Sequence, residues 1–217
     1  MKKKAVINLA AGEQQQLVIH KASEMGYAVI AVDRNPQAPG FAIAEEKICL
    51  SAYEAEPIIS RLKSLLGSYE FKGVLTGSSG PSVVSAATIA ETFGLPGVKP
   101  RVAKTVVYKS DFIKTCHRLS IPAPKHLVVS GNENLNEIGF PCIVKPSLSL
   151  TGQKAVRFVH SSEQLSIEIS EISVDSFDDR IEDGMRLLTE NNISEEPDVG
   201  NPQVWFCEGH ASPYTKF

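Results

Sequence analysis

The chain has 217 residues, of which 42% are hydrophobic and 22% are charged, and its formal net charge is -3 at pH 7. This composition indicates a globular protein with room for one large or two small domains. The weak negative charge gives no reason to expect nucleic acid or an anionic membrane as a partner, and no apolar run reaches the ~18 residues of a membrane-spanning helix. Asn8 interrupts the apolar run at residues 5–11. We therefore predict a buried first strand rather than a signal peptide, and a cytoplasmic protein.

The first half of the chain alternates between apolar and helical segments, which predicts an open α/β sheet with right-handed crossovers. In chain order we predict a strand at 6–10, a helix at 14–25, strands at 28–32 and 47–50, a helix at 55–66, a strand at 73–76 and a helix at 81–93. Ligands of such sheets bind beyond the carboxyl ends of the strands. The turns at Gly12, Asp33 and residues 77–80 are therefore expected to share one edge.

Asp33 has two interpretations. It follows Gly12 by about twenty residues, which is the position of a ribose-binding acid in a dinucleotide site. However, residues 10–15 lack the three-glycine pattern of that site, and Glu13 would place a negative charge beside the pyrophosphate. We favour the simpler interpretation that Asp33 ends its strand and caps the following turn.

Two lysines carry the chemistry of the second half. Lys109 begins a helix predicted to run to about Leu119, where a Pro-x-Pro turn ends it. A strand at 125–129 and a short helix near 133–138 follow. Lys145 then lies on an apolar strand, ahead of a small polar loop at 147–154 and a second strand at 155–159. The lysine could hold a triphosphate as a point charge under backbone N–H groups of the loop, or it could simply face solvent.

This order of lysine-helix, Ile121-Pro122-Ala123-Pro124, strand, short helix and Phe140-Pro141-Cys142-Ile143-Val144-Lys145-Pro146 resembles the ATP-grasp superfamily. The resemblance implies that Lys109 and Lys145 contact the phosphates or adenine region of ATP. It also implies Mg²⁺ in the complete enzyme and a lid hairpin that covers the nucleotide. The candidate nucleotide-binding residues are Lys109, Lys145, Ser147, Ser149, Thr151, Gly152, Lys154 and Glu208.

The first half resembles the Rossmann-like pre-ATP-grasp domain of biotin carboxylase, carbamoyl phosphate synthase and carboxylate–amine ligases. The resemblance rests on residues 9–12, 26–33, 39–42 and 93–97. It implies that the glycine turns at the strand ends face the acyl substrate, through Gly12, Glu13, Gly77, Ser78 and Ser79. The expected fold class is thus α/β: an open parallel-sheet domain at 1–98, a partial α+β ATP-grasp domain with its lid at 99–169, and an acidic tail at 170–217.

Two departures from the family pattern matter. The lid loop holds one glycine, Gly152, where the family's loop is glycine-rich, and it carries Leu148 and Leu150. The acidic residues and asparagine that hold magnesium in the family are not recognisable in the tail, and the scattered cysteines and histidines have no ligand-like spacing. We therefore predict no metal ligands, and the catalytic residues are unknown from the sequence. Val204 to Gly209 resembles the family's next strand only weakly.

The sequence thus favours an ATP-grasp carboxylate–amine ligase, or the N-terminal fragment of one, which works through an acyl phosphate. Its expected partners are a small carboxylate and an amine, together with a missing C-terminal half or further copies of the chain. As this chain alone we expect it to be inactive. The alternative is a non-catalytic nucleotide-binding or scaffold protein that kept the fold and lost the chemistry.

Overall fold

The computed structural model describes residues 1–129, 137–148, 156–171 and 186–190, the last five and residues 170–171 by their backbone alone. It divides the chain into two compact units, Met1–Val107 and Tyr108–Phe217. The predicted boundary between residues 98 and 99 stays a prediction. Within the described ranges no helix is long and apolar enough to cross a bilayer.

The first unit is built around a four-stranded parallel sheet, in which the strand order is β3-β2-β1-β4. This confirms the predicted α/β class with an open parallel sheet. Its strands are β1 (Lys3–Leu9), β2 (Ala28–Val32), β3 (Glu46–Ile48) and β4 (Tyr69–Thr76). Its helices are α1 (Gln16–Glu24), α2 (Ala55–Leu65), α3 (Pro81–Thr92) and α4 (Pro100–Val107), with short 3₁₀ turns at Glu13–Gln15 and Pro39–Ala42.

Apolar layers cover both faces of this sheet. All five residues of β2 are buried, as expected for a parallel strand with helices on both sides. Alternate side chains serve the two layers, because successive strand residues point to opposite faces. Ile7 and Ile30 pack with α2 and α3 residues such as Leu62, whereas Val29 packs with Ile19 of α1 on the other face.

Helix α4 was not predicted from the sequence. It begins at Pro100, which suits a first helical position because its fixed φ is already helical and no N–H is lost from the helix. Ala103 of α4 is buried, while Val102 and Val106 remain about half exposed. Eight residues are too few for their hydrophobic periodicity to distinguish a helix from a loop.

The second unit contains an antiparallel sheet in the order β5-β8-β6-β7. Its elements are α5 (Lys109–Arg118), β5 (His126–Val129), β6 (Cys142–Pro146), β7 (Arg157–Val159), α6 (Ser162–Glu171) and β8 (Arg186–Glu190). Strands β6 and β7 pair as the predicted hairpin. Strand β8, which lies between β5 and β6, falls in the range assigned to the acidic tail and was not predicted. The predicted helix near residues 133–138 lies largely outside the described residues.

One apolar cluster supports this second sheet. Cys142 and Val144 of β6 pack with Val129, Val159 and Leu165 of α6. Since side chains alternate along a strand, Ile143 and Lys145 point to the opposite face. The hydrophobic pattern of β6 therefore places its lysine on the face away from α6.

Candidate functional site

Lys145 is a partly buried cation near the end of β6. Burial and the nearby Lys109 ammonium lower the pKa of Lys145 to about 8, because both disfavour the charged form. The lysine is therefore mostly protonated at neutral pH but held in an environment that disfavours its charge. An anion bound beside Lys145 would stabilise the charged form of its side chain.

Lys109 meets the same end of β6 from helix α5. Its backbone N–H donates to the carbonyl oxygen of Ser147 at 3.0 Å, and its Nζ donates to the same oxygen at 3.4 Å. Ser147 lies two positions after Lys145 along the chain. The structure thus brings together the two lysines that the sequence singled out, and both ammonium groups belong to the second unit.

Two ammonium groups that repel each other electrostatically favour a polyanion as ligand. Each acts as a point charge toward phosphate or carboxylate oxygens, and their mutual repulsion is relieved when negative charge lies between them. This arrangement can bind a phosphorylated ligand and neutralise charge on it. The specific nucleotide contacts assigned to Lys109 and Lys145 stay a prediction.

Ser147 has a different environment from the one expected for a lid residue. It is fully buried, and its hydroxyl lies 2.7 Å from the hydroxyl of Ser110, which is also buried. Leu148 next to it is 1% exposed, so this leucine lines the interior rather than a phosphate. The hydroxyl of Ser147 already has a protein partner, the hydroxyl of Ser110. The predicted contact between Ser147 and nucleotide stays a prediction.

The other candidate nucleotide-binding residues lie outside the described residues: Ser149, Thr151, Gly152, Lys154 and Glu208. Among the described side chains, no three or more His, Cys, Asp or Glu groups come together as a metal site.

The predicted substrate-side turns meet at one edge of the first unit's sheet. The N–H of Gly77 donates to Oε1 of Gln15 at 3.0 Å, and Gln15 is only 4% exposed. Gln15 itself follows Gly12, to whose carbonyl its N–H donates at 2.9 Å. The sequence analysis missed Gln15, because a glutamine at the start of a helix gives no signal of a long-range contact. Glu13, Ser78 and Ser79 lie in the same two turns, and their substrate contacts stay predictions.

Asp33 ties the same edge together. Its Oδ1 accepts the N–H of Asn35 at 2.9 Å, which confirms that it caps the turn after β2. Its Oδ2 accepts the N–H of Ala11 at 2.7 Å. Ala10 beside it has a φ of 70°, a left-handed conformation that is unusual without glycine. The Asn8 side chain donates to the Ala10 carbonyl at 2.7 Å and supports this turn.

A cavity of about 130 Å³ opens at this edge. Asp33 and Ser78 line it, together with residues that the sequence analysis did not single out. The lining residues are spread over the four turns that follow β1, β2, β3 and β4, and their proximity follows from the parallel pairing of β1 with β2 and β4 and of β2 with β3. The lining residues are Ala10, Asp33, Arg34, Ser51, Ala52, Tyr53 and Ser78.

The two units together define a class of protein. A Rossmann-like parallel sheet is followed by a lysine-led helix and an antiparallel sheet with a second lysine on its hairpin. This is the arrangement of the ATP-grasp superfamily, and the resemblance predicted from the sequence is confirmed by comparison with known proteins.

No family model matches the chain. The formate-dependent phosphoribosylglycinamide formyltransferase of Salmonella paratyphi B is 27% identical over an alignment of 175 positions, which covers 74% of this chain and 41% of that protein. The large chain of carbamoyl phosphate synthase from Mesorhizobium japonicum is 26% identical over an alignment of 149 positions, which covers 65% of this chain and 13% of that protein.

Among solved structures, N5-carboxyaminoimidazole synthetase from Staphylococcus aureus complexed with ADP matches with a TM-score of 0.61. The sequences are 14% identical, and the match covers 89% of this chain and 49% of that one. This likeness shows the shared fold. The chain thus spans less than half the length of these three proteins.

Proposed function

We propose that this chain supplies the nucleotide-binding lysines and the substrate-side sheet of an ATP-dependent carboxylate–amine ligase. The observation that carries the proposal is the meeting of Lys109 and Lys145 at one end of β6, with the pKa of Lys145 lowered to about 8. The names of the sequence relatives, a formate-dependent transferase and a carbamoyl phosphate synthase, support small one-carbon acids as the substrate class.

The chemistry follows from the charges. A carboxylate oxygen of the substrate attacks the γ-phosphorus of ATP, the bond to the bridging oxygen breaks, and ADP leaves. An amine then attacks the acyl phosphate, the acyl–oxygen bond breaks, and inorganic phosphate and a proton are released. In the first step, Lys109 and Lys145 offset negative charge on the phosphate oxygens, which is the main task of a protein in phosphoryl transfer.

The substrate side of this proposal rests on the first unit. Its strand-end turns are held by contacts such as Gln15 to Gly77 and Asp33 to Ala11. A small cavity with a mixed polar and apolar lining lies at the edge where ligands of parallel sheets bind. The cavity has the size of a small acid or a part of a larger substrate. Gly12, Glu13, Gly77, Ser78 and Ser79 remain the residues proposed to face the acyl substrate, and of these Ser78 lines the cavity.

Calorimetry with ATP and ADP tests the nucleotide part of the proposal. Two lysines without the rest of a phosphate site supply roughly 4–6 kcal/mol, so the dissociation constant should be in the high micromolar to millimolar range. Lys145→Ala and Lys109→Ala should each weaken binding at least about tenfold, because a hydrogen bond to a charged group contributes about 1.5–3 kcal/mol.

Lys114→Ala is the matched control, since Lys114 is an exposed lysine on the same helix as Lys109. It should leave the affinity within about twofold of the parent. If neither nucleotide binds at several millimolar, or if all three variants lose the same affinity, the lysine pair is not a nucleotide site. The fold would then serve a scaffold role.

A further inference from the structure

Helix α5 begins without a cap from its own N-terminal residue. The N-cap position is Tyr108, whose side chain makes no capping hydrogen bond. The first N–H groups of a helix have no partner inside it, and Ser, Thr, Asp or Asn at the N-cap usually accepts from them. A tyrosine hydroxyl lies too far from its own backbone to do so. The first turn of α5 therefore needs acceptors from elsewhere.

Ser147, at the end of β6, supplies these acceptors. Its carbonyl oxygen accepts the N–H of Lys109 at 3.0 Å, and its Oγ accepts the N–H of Ser110 at 3.4 Å. The two serine hydroxyls share a third hydrogen bond of 2.7 Å. Ser110 is 1% exposed and Ser147 is fully buried, so water does not compete for these groups.

The same residue also contacts the functional side chain of α5. The Nζ of Lys109 donates to the Ser147 carbonyl at 3.4 Å. Lys145 stands two residues before Ser147 on the same segment. One buried serine thus fixes the start of the lysine-bearing helix, and one lysine side chain, to the end of the strand that carries the other lysine.

We propose that Ser147, paired with Ser110, is a positioning residue that caps α5 from another segment and holds the Lys109 ammonium beside Lys145. This inference rests on the proposed function, because it gives the lysine pair a purpose as an anion site. It also gives Ser147 a role that differs from the direct nucleotide contact expected from the sequence.

The physical need for such a device is the repulsion between the two ammonium groups. A lysine side chain has four rotatable bonds, and an unrestrained Lys109 would move its charge into water, away from Lys145. Keeping the charge in place before the ligand arrives lowers the cost of binding, since less side-chain freedom is lost at that moment. The ammonium contacts the main-chain carbonyl of Ser147, so the buried hydroxyl pair acts indirectly, by holding that carbonyl and the start of α5 in one geometry.

Alanine variants test the positioning role by ADP binding. Ser147→Ala and Ser110→Ala each leave one buried hydroxyl without its partner, whereas the double variant removes both hydroxyls and leaves only the Ser110 N–H without the Ser147 Oγ as acceptor. The double variant should fold well and bind ADP about five- to tenfold more weakly than the parent. Ser166→Ala, an exposed serine of α6 whose hydroxyl contacts only the Ser162 carbonyl of its own helix, should bind ADP as the parent does.

A second measurement needs no nucleotide. In protein labelled with ¹³C at the lysine Cε atoms, the NMR shift of the Lys145 Cε reports its titration. The Lys145 resonance is assigned from its loss in Lys145→Arg. The pKa of Lys145 should rise in Lys109→Met, which removes the smaller cause of its lowering and leaves burial in place, and it should rise by less in the Ser110→Ala/Ser147→Ala variant. In a Lys109→Met background the serine changes should add no further shift, because the charge that they position is gone.

The outcomes separate this inference from the proposed function. A Lys145 titration that responds as expected, in a protein that does not bind ADP, supports the positioning role and overturns the nucleotide site. ADP binding that is lost in the lysine variants but unchanged in the double serine variant, with an unchanged Lys145 titration, overturns the positioning role. If the serine substitutions shift the Lys145 pKa equally in the parent and in Lys109→Met, the positioning role is also overturned. The serines would then affect Lys145 independently of the Lys109 charge.

Discussion

The two units of this chain differ in the polar groups that they bring together. At the strand-end edge of the first unit, both oxygens of Asp33 accept backbone N–H groups, and the Gln15 amide accepts the N–H of Gly77. In the second unit, two ammonium groups lie near each other, and one of them is partly buried with a lowered pKa. The first edge is stabilised by hydrogen bonds within the protein, and the lysine pair concentrates positive charge that suits an anionic ligand. We therefore expect substitutions at the first edge to destabilise the protein. Substitution of Lys145 should weaken ligand binding and stabilise the ligand-free protein.

The largest effect is expected from Asp33→Ala in the first unit. The change leaves the N–H groups of Ala11 and Asn35 without their acceptor and should lower the free energy of unfolding by about 2–3 kcal/mol. Amide hydrogen exchange should show the loss mainly in the first unit. Asp33→Asn, which keeps one acceptor oxygen, should lose about half as much. Equal losses for the two variants, or faster exchange confined to the second unit, would contradict this view of the edge.

Lys145→Met should have the opposite sign on stability. Removing a partly buried charge that lies beside another cation should raise the free energy of unfolding of the ligand-free protein by about 1–2 kcal/mol. The same variant should lose nucleotide affinity, the usual trade-off at a binding site. Thermal unfolding with and without ADP checks both parts, with Lys114→Met as the control. A destabilised Lys145→Met protein would show that the lysine is a structural residue.

The pH dependence sharpens the same contrast. An anion favours protonated Lys145, so nucleotide affinity should fall as the pH rises through 8, by about tenfold between pH 7 and 9 for a pKa of about 8. Nucleotide phosphates titrate near pH 6 and do not contribute in this range. Calorimetry across this range measures the effect, and Lys145→Met should flatten it.

The free energy of unfolding of the ligand-free protein should rise with pH, whereas nucleotide affinity should fall, and it should do so at higher pH. The pKa of Lys145 is lowered from 10.5 to about 8 in the folded protein, so between these values the unfolded chain binds more protons than the folded one. The free energy of unfolding should therefore rise from pH 8 toward 10.5. The comparison with Lys145→Met isolates this contribution from those of other groups. Parallel pH profiles for the two proteins would argue against a depressed Lys145 pKa.

The smallest effect is expected from Gln15→Ala. It removes one hydrogen bond, that to the N–H of Gly77, and should cost about 0.5–1.5 kcal/mol. Gln14→Ala, the neighbouring exposed glutamine, is the matched control and should be close to neutral. Urea unfolding distinguishes the two, and an equal effect of both would mean that the Gln15 contact does not hold the two turns together.

Local sequence signals determined much of this protein. The apolar runs of β1 and β2 and the periodicity of α2 predicted an alternating α/β unit, because burial on both faces imposes continuous hydrophobic strands. The Pro-x-Pro stop and the isolated lysine on β6 predicted the second half and its family. These features lie within short windows, in which side-chain pattern and backbone preference agree.

Only the tertiary structure decided the long-range contacts. The pairing of Ser147 with Ser110, the contact of Gln15 with Gly77, and the place of β8 between β5 and β6 all join segments far apart in the chain. A serine or a glutamine has the same local signal whether it is exposed or holds two segments together. Its partner is fixed by the packing of the whole unit, and for Ser147 that packing placed a predicted lid residue in the interior.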